Sequence, residues 1–334
     1  MRNRRHFFEA FAQAAALVLG ASRSMASLAQ SHSATKMAKF VVGFPAGGAT
    51  DVLARALADK LKLHYPTGLM VETRAGAASR LAAEYVKASA PDALTLLFTV
   101  DFALTIFPHS FKALSYDPIQ DFTPVAMCSK SALVLCVGPM VPDQVQSLAD
   151  FLGWCKAHPE QAAYASTSAG ASPHFAGLLL SKATQIPLLH VPYKGGAPAL
   201  QDLMGGQIAS SFNPLGEVIP HLKSARLRPL AITAQARSRF LPQTPTLFEL
   251  GYKDLVIESW LGVLCPKNTP SALVHQTAAW INEALNNEGM KEALDKMGMV
   301  PVQSTPEQFA KVIKADLQMW GPVIKASGFT AEET

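Results

Sequence analysis

Residues 41–51, V-V-G-F-P-A-G-G-A-T-D, set an apolar strand, a glycine turn and the start of a helix in immediate succession. The β-branched and aromatic residues 40–42 are typical of a buried strand, and the proline and glycines of 45–48 end it and let the backbone approach a ligand closely. Thr50 or Asp51 is then expected to cap a helix. Unpaired N–H groups in the first turn, at the positive end of the helix dipole, favour a carboxylate or phosphate. The stretch predicts an anion-binding turn, although a tight turn without a ligand is the commoner explanation when the motif is taken alone.

The helix after this turn is predicted by apolar residues at three- and four-residue spacing, at positions 52, 53, 56, 57 and 61. The turn carries neither of the two common nucleotide-binding motifs. No Gly-Lys-Ser/Thr follows it, as a phosphate P-loop requires, and the G-x-G-x-x-G dinucleotide pattern is absent from the sequence. We therefore expect no cofactor.

Strand-like and helical patterns alternate from residue 40 onward, as in a parallel α/β sheet covered on both faces. A first series has strands at 40–43, 69–72 and 94–99, with helices from 51 and near 77–89. A second series has strands at 162–166, 188–192, 208–212 and 228–233, with helices at 148–157, 174–184, 197–204 and 217–224. The order predicts two α/β domains, with a ligand cleft at the carboxyl ends of their strands.

Two apolar strands that end in proline, 132–139 and 260–266, are candidates for crossings between these domains. The helices predicted near 270–286, 288–297 and 306–327 are then expected to return to the first domain. The predicted boundaries are 37–137 with 262–334 for a discontinuous first domain, and 138–261 for the second. The expected architecture is two Rossmann-like α/β domains joined by two crossing strands.

The first 29 residues have the composition of an export signal. Three arginines among the first five residues precede an apolar segment at 14–20, and small residues at 27–29 provide a cleavage site. The apolar segment is too short to remain as a membrane span. We predict a cleavable signal peptide over residues 1–29, with either the general or the twin-arginine route open, since residues 3–8 resemble a twin-arginine motif.

The charge of the chain belongs mainly to this signal. The chain has 29 basic and 25 acidic residues and a net charge of +4. Loss of residues 1–29 removes four arginines and one glutamate, which leaves a net charge of about +1. Without a Lys/Arg cluster interleaved with aromatic residues, nucleic-acid binding is not expected.

The four cysteines, Cys128, Cys136, Cys155 and Cys265, have a wide and irregular spacing that matches no metal motif. An oxidising compartment would permit disulfides in three pairings. Buried free thiols are the preferred interpretation, since free cysteine behaves as a small apolar residue.

Two further turns of small residues follow strands of the second series. Residues 166–174, S-T-S-A-G-A-S-P-H, offer hydroxyl and backbone N–H groups for the other end of a two-headed anion. Residues 191–196, V-P-Y-K-G-G, add an aromatic wall and a cation. Together with residues 44–51, these turns predict a two-sided carboxylate site.

In this order, the residues resemble the Bug family, the extracytoplasmic solute receptors of tripartite tricarboxylate transport systems. The resemblance covers nearly the whole mature chain and is carried by F-P-A-G-G-A-T-D at 44–51, V-E-T-R-A-G at 71–76, A-A-E at 82–84, Y-D-P at 116–118, D-F-T-P-V-A at 121–126, V-P-Y-K-G at 191–195, L-P-Q-T-P-T at 241–246 and E-L-G-Y at 249–252. It implies a type II periplasmic-binding-protein architecture that closes on a small organic carboxylate without chemistry. It also implies a periplasmic location and a membrane permease as partner, and we expect a monomer.

Relatives of this kind hold one ligand carboxylate with backbone groups and ordered waters from the loops that correspond to 44–51 and 166–174. Carried over by position, the resemblance nominates as ligand-binding residues Phe44, Ala46, Gly47, Gly48, Thr50 and Asp51 in the first domain and Ser166, Thr167, Gly170, His174, Tyr193, Lys194 and Asn213 in the second. No catalytic residue and no metal ligand is expected. Ordinary structural roles compete at several of these positions: Asp51 is a typical first-turn residue, and His174 is a typical structural histidine.

The chain departs from the family pattern beside the expected cleft. Thr73 and Ala75 stand where Asn and Pro are common, Ala78, Ser79 and Ser168 replace glycines, and Asn213 replaces an aspartate. The resemblance therefore does not identify the ligand. One alternative is a receptor that reports the same ligand to a membrane sensor. Another is an exported serine hydrolase that uses Ser166 or Ser168 with His174, although no G-x-S-x-G elbow and no orienting acid support it.

Overall fold

The computed structural model describes residues 36–331, so the predicted signal peptide lies outside the described residues. The strands are β1 Ala38–Val42, β2 Leu69–Thr73, β3 Thr95–Val100, β4 Phe122–Val137, β5 Ala163–Ser166, β6 Leu189–Pro192, β7 Ser210–Pro214, β8 Arg228–Ile232, β9 Glu258–Pro266 and β10 Val300–Pro301. The helices are α1 Ala49–Leu61, α2 Arg80–Lys87, α3 Asp101–Thr105, α4 Phe107–Ser110, α5 Leu148–Ala157, α6 Ser172–Thr184, α7 Gly196–Gly205, α8 Leu215–Val218, α9 Ser271–Leu285, α10 Glu288–Lys296 and α11 Pro306–Ser327. Within residues 36–331, no helix has both the length and the apolar character that a membrane crossing requires.

The strands follow one continuous order, β2-β1-β3-β9-β4-β7-β5-β6, with β8 and β10 also paired to β4. Pairing is parallel between β1 and its neighbours β2 and β3, and between β5 and its neighbours β6 and β7. The long strands β4 and β9 are antiparallel to each other, and each is antiparallel to the other strands that it contacts. The prediction of two α/β domains joined by crossing strands is confirmed; the strands of the alternating series are parallel as expected, and the two crossing strands run antiparallel to their neighbours.

Strand β4 belongs to both parts of the molecule. Its residues 122–132 pair with β9, and its residues 133–137 pair with β7 and β8. We call the elements around β1–β3, β9 and the first part of β4 the first lobe. Those around β5–β8 and the second part of β4 are the second lobe. The predicted domain boundaries stay a prediction.

The first lobe is built on the predicted strand and helix around the glycine turn. Phe40 is fully buried in β1, and its ring meets that of Phe98 in β3 edge to face with centroids 5.6 Å apart. Leu53 and Leu57 of α1 pack on the same core. The predicted capping by Thr50 or Asp51 is wrong: α1 begins at Ala49, its N-cap is Gly48, and no side chain caps it.

Several elements differ from their predicted limits. The helix expected near 77–89 covers only Arg80–Lys87, because the residues before it form the 3₁₀ turn Ala77–Ser79 with φ values of 44°, 52° and 79°. The helix expected at 217–224 is the short α8, followed by a 3₁₀ turn with Pro220. Helices α3 and α4 and the first part of β4 were not predicted. Pro124 is untypical of a strand interior, so the sequence does not indicate that part of β4. A register shift against β9 between residues 124 and 126 accommodates the proline.

The C-terminal helices pack largely as expected. Val274 of α9 and Leu294 of α10 lie in the core of the first lobe. Helix α11 contacts both lobes: Phe309 packs with Trp260, whereas Trp320 packs with Phe175 of α6. Its expected return to the first lobe is therefore correct only for its N-terminal half. The four cysteines are buried free thiols.

Candidate functional site

A cavity of about 530 Å³ lies between the lobes, and both lobes and both crossing strands contribute to its wall. It is lined by Phe44, Gly47, Ala49, Thr50, Val52, Val100, Phe102, Ser129, Ser131, Leu133, Thr167, Ala171, Ser172, Pro173, Pro214, Gly216, Glu217, Ser259, Trp260, Leu261, Lys296, Met297 and Met299. Four of the predicted ligand-binding residues, Phe44, Gly47, Thr50 and Thr167, belong to this set. A volume of this size is typical of small-molecule sites.

The glycine turn is held in shape by Asp51. Gly47 has φ +88°, a conformation that favours glycine, and its N–H donates to the Asp51 carboxylate at 3.0 Å. Arg55 donates to the same carboxylate at 2.9 Å and holds the pKa of Asp51 below its usual range. Asp51 is almost completely buried and does not line the cavity, and neither do Ala46 and Gly48. Their direct contact with a ligand stays a prediction.

Two helices begin at the cavity from opposite lobes. Ala49 and Thr50 are the first residues of α1, and Ser172 and Pro173 are the first residues of α6. The first N–H groups of α1 have no partner within the helix, and the dipole of each helix places positive potential at its start. At α6 the available N–H is that of Ser172, because Pro173 has none and the N–H of His174 donates to the carbonyl of Ala171. The cavity is thus electrostatically suited to a carboxylate held between the two helix starts.

The turn at 166–174 is supported by two histidines. Ser166 is completely buried; its hydroxyl donates to the carbonyl of Ser168 at 3.0 Å and lies 2.7 Å from Nε2 of His190. The rings of His174 and His190 stack with centroids 3.9 Å apart, and Nδ1 of His174 accepts the N–H of Gly170 at 3.1 Å. Burial lowers the pKa of both histidines to about 4, so both are neutral near pH 7.

This arrangement bears on the hydrolase alternative. A nucleophilic serine must reach its substrate, whereas Ser166 is buried beneath the turn and its partner is His190 rather than His174. Sequence analysis missed His190, which lies in β6 with no motif around it. Ser166, Gly170 and His174 lie in or beneath the turn without lining the main cavity.

The third turn, at 191–196, has a side chain of the same protein packed against it. The Glu217 carboxylate packs directly against Gly196, the first residue of α7, and leaves no room there for a Cβ. Tyr193 donates its hydroxyl to Asp202 at 2.8 Å, and neither Tyr193 nor Lys194 lines the main cavity. The helix start that would receive a ligand anion therefore already has a carboxylate beside it.

Asn213 lies in β7 next to the cavity-lining Pro214. Its side chain is completely buried, and neither amide atom has a hydrogen-bond partner among the described residues. Such groups are rare in folded proteins, because an unsatisfied buried polar group is costly. The residue does not line the main cavity, so a ligand contact at Asn213 stays a prediction.

Asp101, at the start of α3, lies beneath the cavity and is hydrogen-bonded to one serine from each lobe. It is fully buried and accepts hydrogen bonds from Ser172 at 3.1 Å and from Ser259 at 2.5 Å. Burial raises its pKa to about 7. Asp101 is not among the predicted ligand-binding residues; the sequence signal that could have found it is its position directly after a buried strand.

The remaining lining residues come from segments that carry no motif. Trp260 of β9 lines the floor and donates from Nε1 to Asp316 of α11 at 2.7 Å. Ser129 and Ser131 come from the unpredicted part of β4, and Met297 and Met299 follow α10. Only the tertiary fold brings these residues to the cavity.

Comparisons with known proteins agree with this geometry. A family model described as tripartite tricarboxylate transporter family receptor matches residues 53–329. The chain is 34% identical to Protein BugT of Bordetella pertussis over 291 residues, which are 87% of this chain and 89% of that protein. Among solved structures, Rpa4515 of R. palustris with adipate is 29% identical, with a TM-score of 0.76 over 89% of this chain and 99% of that one. MatC from Rhodopseudomonas palustris with bound malate is 27% identical, with a TM-score of 0.71 over 86% and 98%.

Proposed function

The chain belongs to the tripartite tricarboxylate transporter receptor family, and we propose that it is a periplasmic receptor that captures a small organic carboxylate between its lobes for uptake by a transporter. One observation carries this proposal: the first turns of α1 and α6 face a single cavity from opposite lobes. Two related proteins of this fold were solved with adipate and with malate, which are both carboxylates.

The residues around the cavity divide into two roles. Gly47, Thr50 and Thr167 contact the ligand carboxylate through backbone and hydroxyl groups, while Phe44 forms part of the apolar wall. Asp51 keeps the first turn in its binding conformation by accepting the N–H of Gly47. The remaining residues of the predicted set, Ala46, Gly48, Ser166, Gly170, His174, Tyr193, Lys194 and Asn213, lie in the turns or in the second lobe outside the lining of the main cavity, and their contact with the ligand stays a prediction.

Binding is coupled to closure of the lobes about β4 and β9, with the two parts bounded as predicted, 37–137 with 262–334 and 138–261. A ligand that contacts both lobes stabilises the closed form, because it gains contacts there that the open form lacks. The closed monomer is then recognised by a membrane permease. A receptor for a membrane sensor would use the same cavity and differ in its partner alone.

Thermal unfolding of the exported protein, with mono-, di- and tricarboxylates, amino acids and aromatic acids, tests the proposal. A ligand present at about 100 times its Kd adds about 2.7 kcal/mol to the free energy of unfolding, so a true ligand stands out as a rise in Tm. Isothermal titration calorimetry then gives the stoichiometry, expected to be one ligand per chain. If no carboxylate raises Tm or produces heat of binding, the proposal is wrong.

A further inference from the structure

The inference below rests on the proposed function and concerns the chemical class of the carboxylate. The wall of the cavity is rich in carbon: Phe102, Leu133, Trp260, Met297 and Met299 all line it. A second cavity of about 580 Å³ adjoins the first, since the two share Phe44, Phe102 and Ala171. The second cavity is also largely apolar, and five phenylalanines line it.

Two serine hydroxyls beside the cavity have their protons engaged. Ser172 and Ser259 both donate to the Asp101 carboxylate, at 3.1 and 2.5 Å. Ser131 and Ser129 have weaker contacts, to the carbonyl of Gly298 at 3.4 Å and to the sulfur of Met299 at 3.5 Å. A hydroxyl has one proton, so the oxygens of Ser172 and Ser259 face a ligand as acceptors while they donate to Asp101.

The charges around the cavity give a second carboxylate little support. Of the cavity-lining residues, all within the described part of the chain, Glu217 and Lys296 are charged and no arginine is among them. Lys296 is exposed at the end of α10, where water screens its charge. Glu217 carries the opposite charge and offsets that of Lys296 around the cavity. A carboxylate accepts hydrogen bonds and donates none, so a second one would lie beside acceptor oxygens.

We propose that the cavity binds a monocarboxylate with an apolar aliphatic or aromatic body, that it discriminates against di- and tricarboxylates, and that Asp101 is a positioning residue for this selectivity. One carboxylate is met by the helix starts, and the carbon body lies along Phe102, Trp260 and the two methionines. Asp101 draws the protons of Ser172 and Ser259 away from the ligand. A distal carboxylate is rejected because burying it without donors costs far more than an added methyl group gains.

Hexanoate and adipate form a matched pair, because adipate replaces the terminal methyl group of hexanoate with a second carboxylate. Both are titrated by calorimetry into the exported protein at pH 8, above the pKa of about 7 of Asp101, alongside malate and citrate. We expect hexanoate to bind about tenfold more tightly than adipate or better, since a buried charge left without donors is costly. Tighter or equal binding of adipate, malate or citrate overturns this inference but leaves the proposed function intact. If no carboxylate of the wider panel binds, both fail.

Asp101→Asn tests the role of Asp101 itself. The amide group donates as well as accepts, so one serine must turn its proton toward the cavity, and the preference for hexanoate over adipate should fall about threefold or more. Asp202→Asn is the matched control, since Asp202 is a half-buried aspartate that also accepts from a hydroxyl, that of Tyr193, but does not line the cavity. Equal preferences in the two variants would exclude the role of Asp101. If Asp101→Asn does not fold, the wild-type comparison still decides the ligand class.

Discussion

Backbone atoms of the two lobes approach each other closely at Gly216, and this contact can be perturbed with one methyl group. Gly216 of α8 lies against residues 297–298, which follow α10 in the first lobe. A Cβ on residue 216 would lie 2.0 Å from the carbonyl oxygen of Met297. Gly298 has φ +61°, and a Cβ there would lie 2.7 Å from the Cα of Gly216. We therefore predict that Gly216→Ala pushes the lobes apart.

The size of the effect follows from the contact distance. Cβ atoms rarely come within 3.0 Å of another heavy atom, so the backbones must separate by about 1 Å from the 2.0 Å contact. Overpacking of this kind typically costs about 1–3 kcal/mol. If the closed arrangement alone bears that cost, ligand affinity falls roughly 5- to 150-fold.

Calorimetric titration measures the affinity, urea denaturation measures the free energy of unfolding, and small-angle scattering measures the separation of the lobes. Gly153→Ala is the matched control, because nothing lies within 4 Å of a Cβ at that position in α5. The control should be neutral or more stable by about 0.5–1 kcal/mol. If Gly216→Ala equals the control in affinity, stability and dimensions, the two lobes do not meet through this contact.

Three further predictions concern the turns. Gly48→Val should fold, since its Cβ would meet only the carbonyl of Pro45 at 3.6 Å. It should lose ligand binding in calorimetry if the added side chain fills the anion-binding turn. Unchanged affinity would exclude residue 48 from the anion-binding turn. Asp51→Ala should weaken ligand binding about fivefold, equivalent to one lost hydrogen bond of about 1 kcal/mol. Asp51→Asn retains the acceptor for the N–H of Gly47 and should lose less affinity. Equal losses of affinity in the two variants would show that the charge of Asp51 matters instead of the hydrogen bond. Acidification from pH 6.5 to 4 should lower the free energy of unfolding, because the histidines take up protons in the unfolded chain, whereas His174 and His190 stay neutral when buried. The decrease should be smaller in His190→Gln than in the wild type. An identical pH profile of the two proteins would contradict the burial argument.

Elements with strong local signals were predicted closely. Helix α5 matches its predicted limits, because Ser147 and Asp150 form a capping box and apolar residues recur at helical spacing. Helix α11 also matches, with Thr305 and Gln308 at its start and Gly328 after its end. The first part of β4 and helices α3 and α4 were missed because partners distant in sequence stabilise them.

The candidate site shows the same division between local and distant determinants. Residues 44–51 and 166–174 were recognised as turns, and Phe44, Gly47, Thr50 and Thr167 from them do line the cavity. The expected third turn at 191–196 does not, because Glu217, about twenty residues further along the chain, places its carboxylate there. No local pattern at either position reveals that contact.

By itself, the sequence determined the alternation of strands and helices, the glycine turn at 44–51 and the family to which the chain belongs. The alternation and the turn depend on residue spacing and backbone conformation within about fifteen residues, whereas the family rests on the resemblance of motifs from residue 44 to residue 252. Only the tertiary structure decided which groups meet around the cavity: Asp101 from the end of β3 accepts from Ser172 of α6 and Ser259 of β9, far apart along the chain. Because the direction of a hydroxyl proton depends on the partner that folding brings to it, the polarity of the cavity is a property of the folded chain.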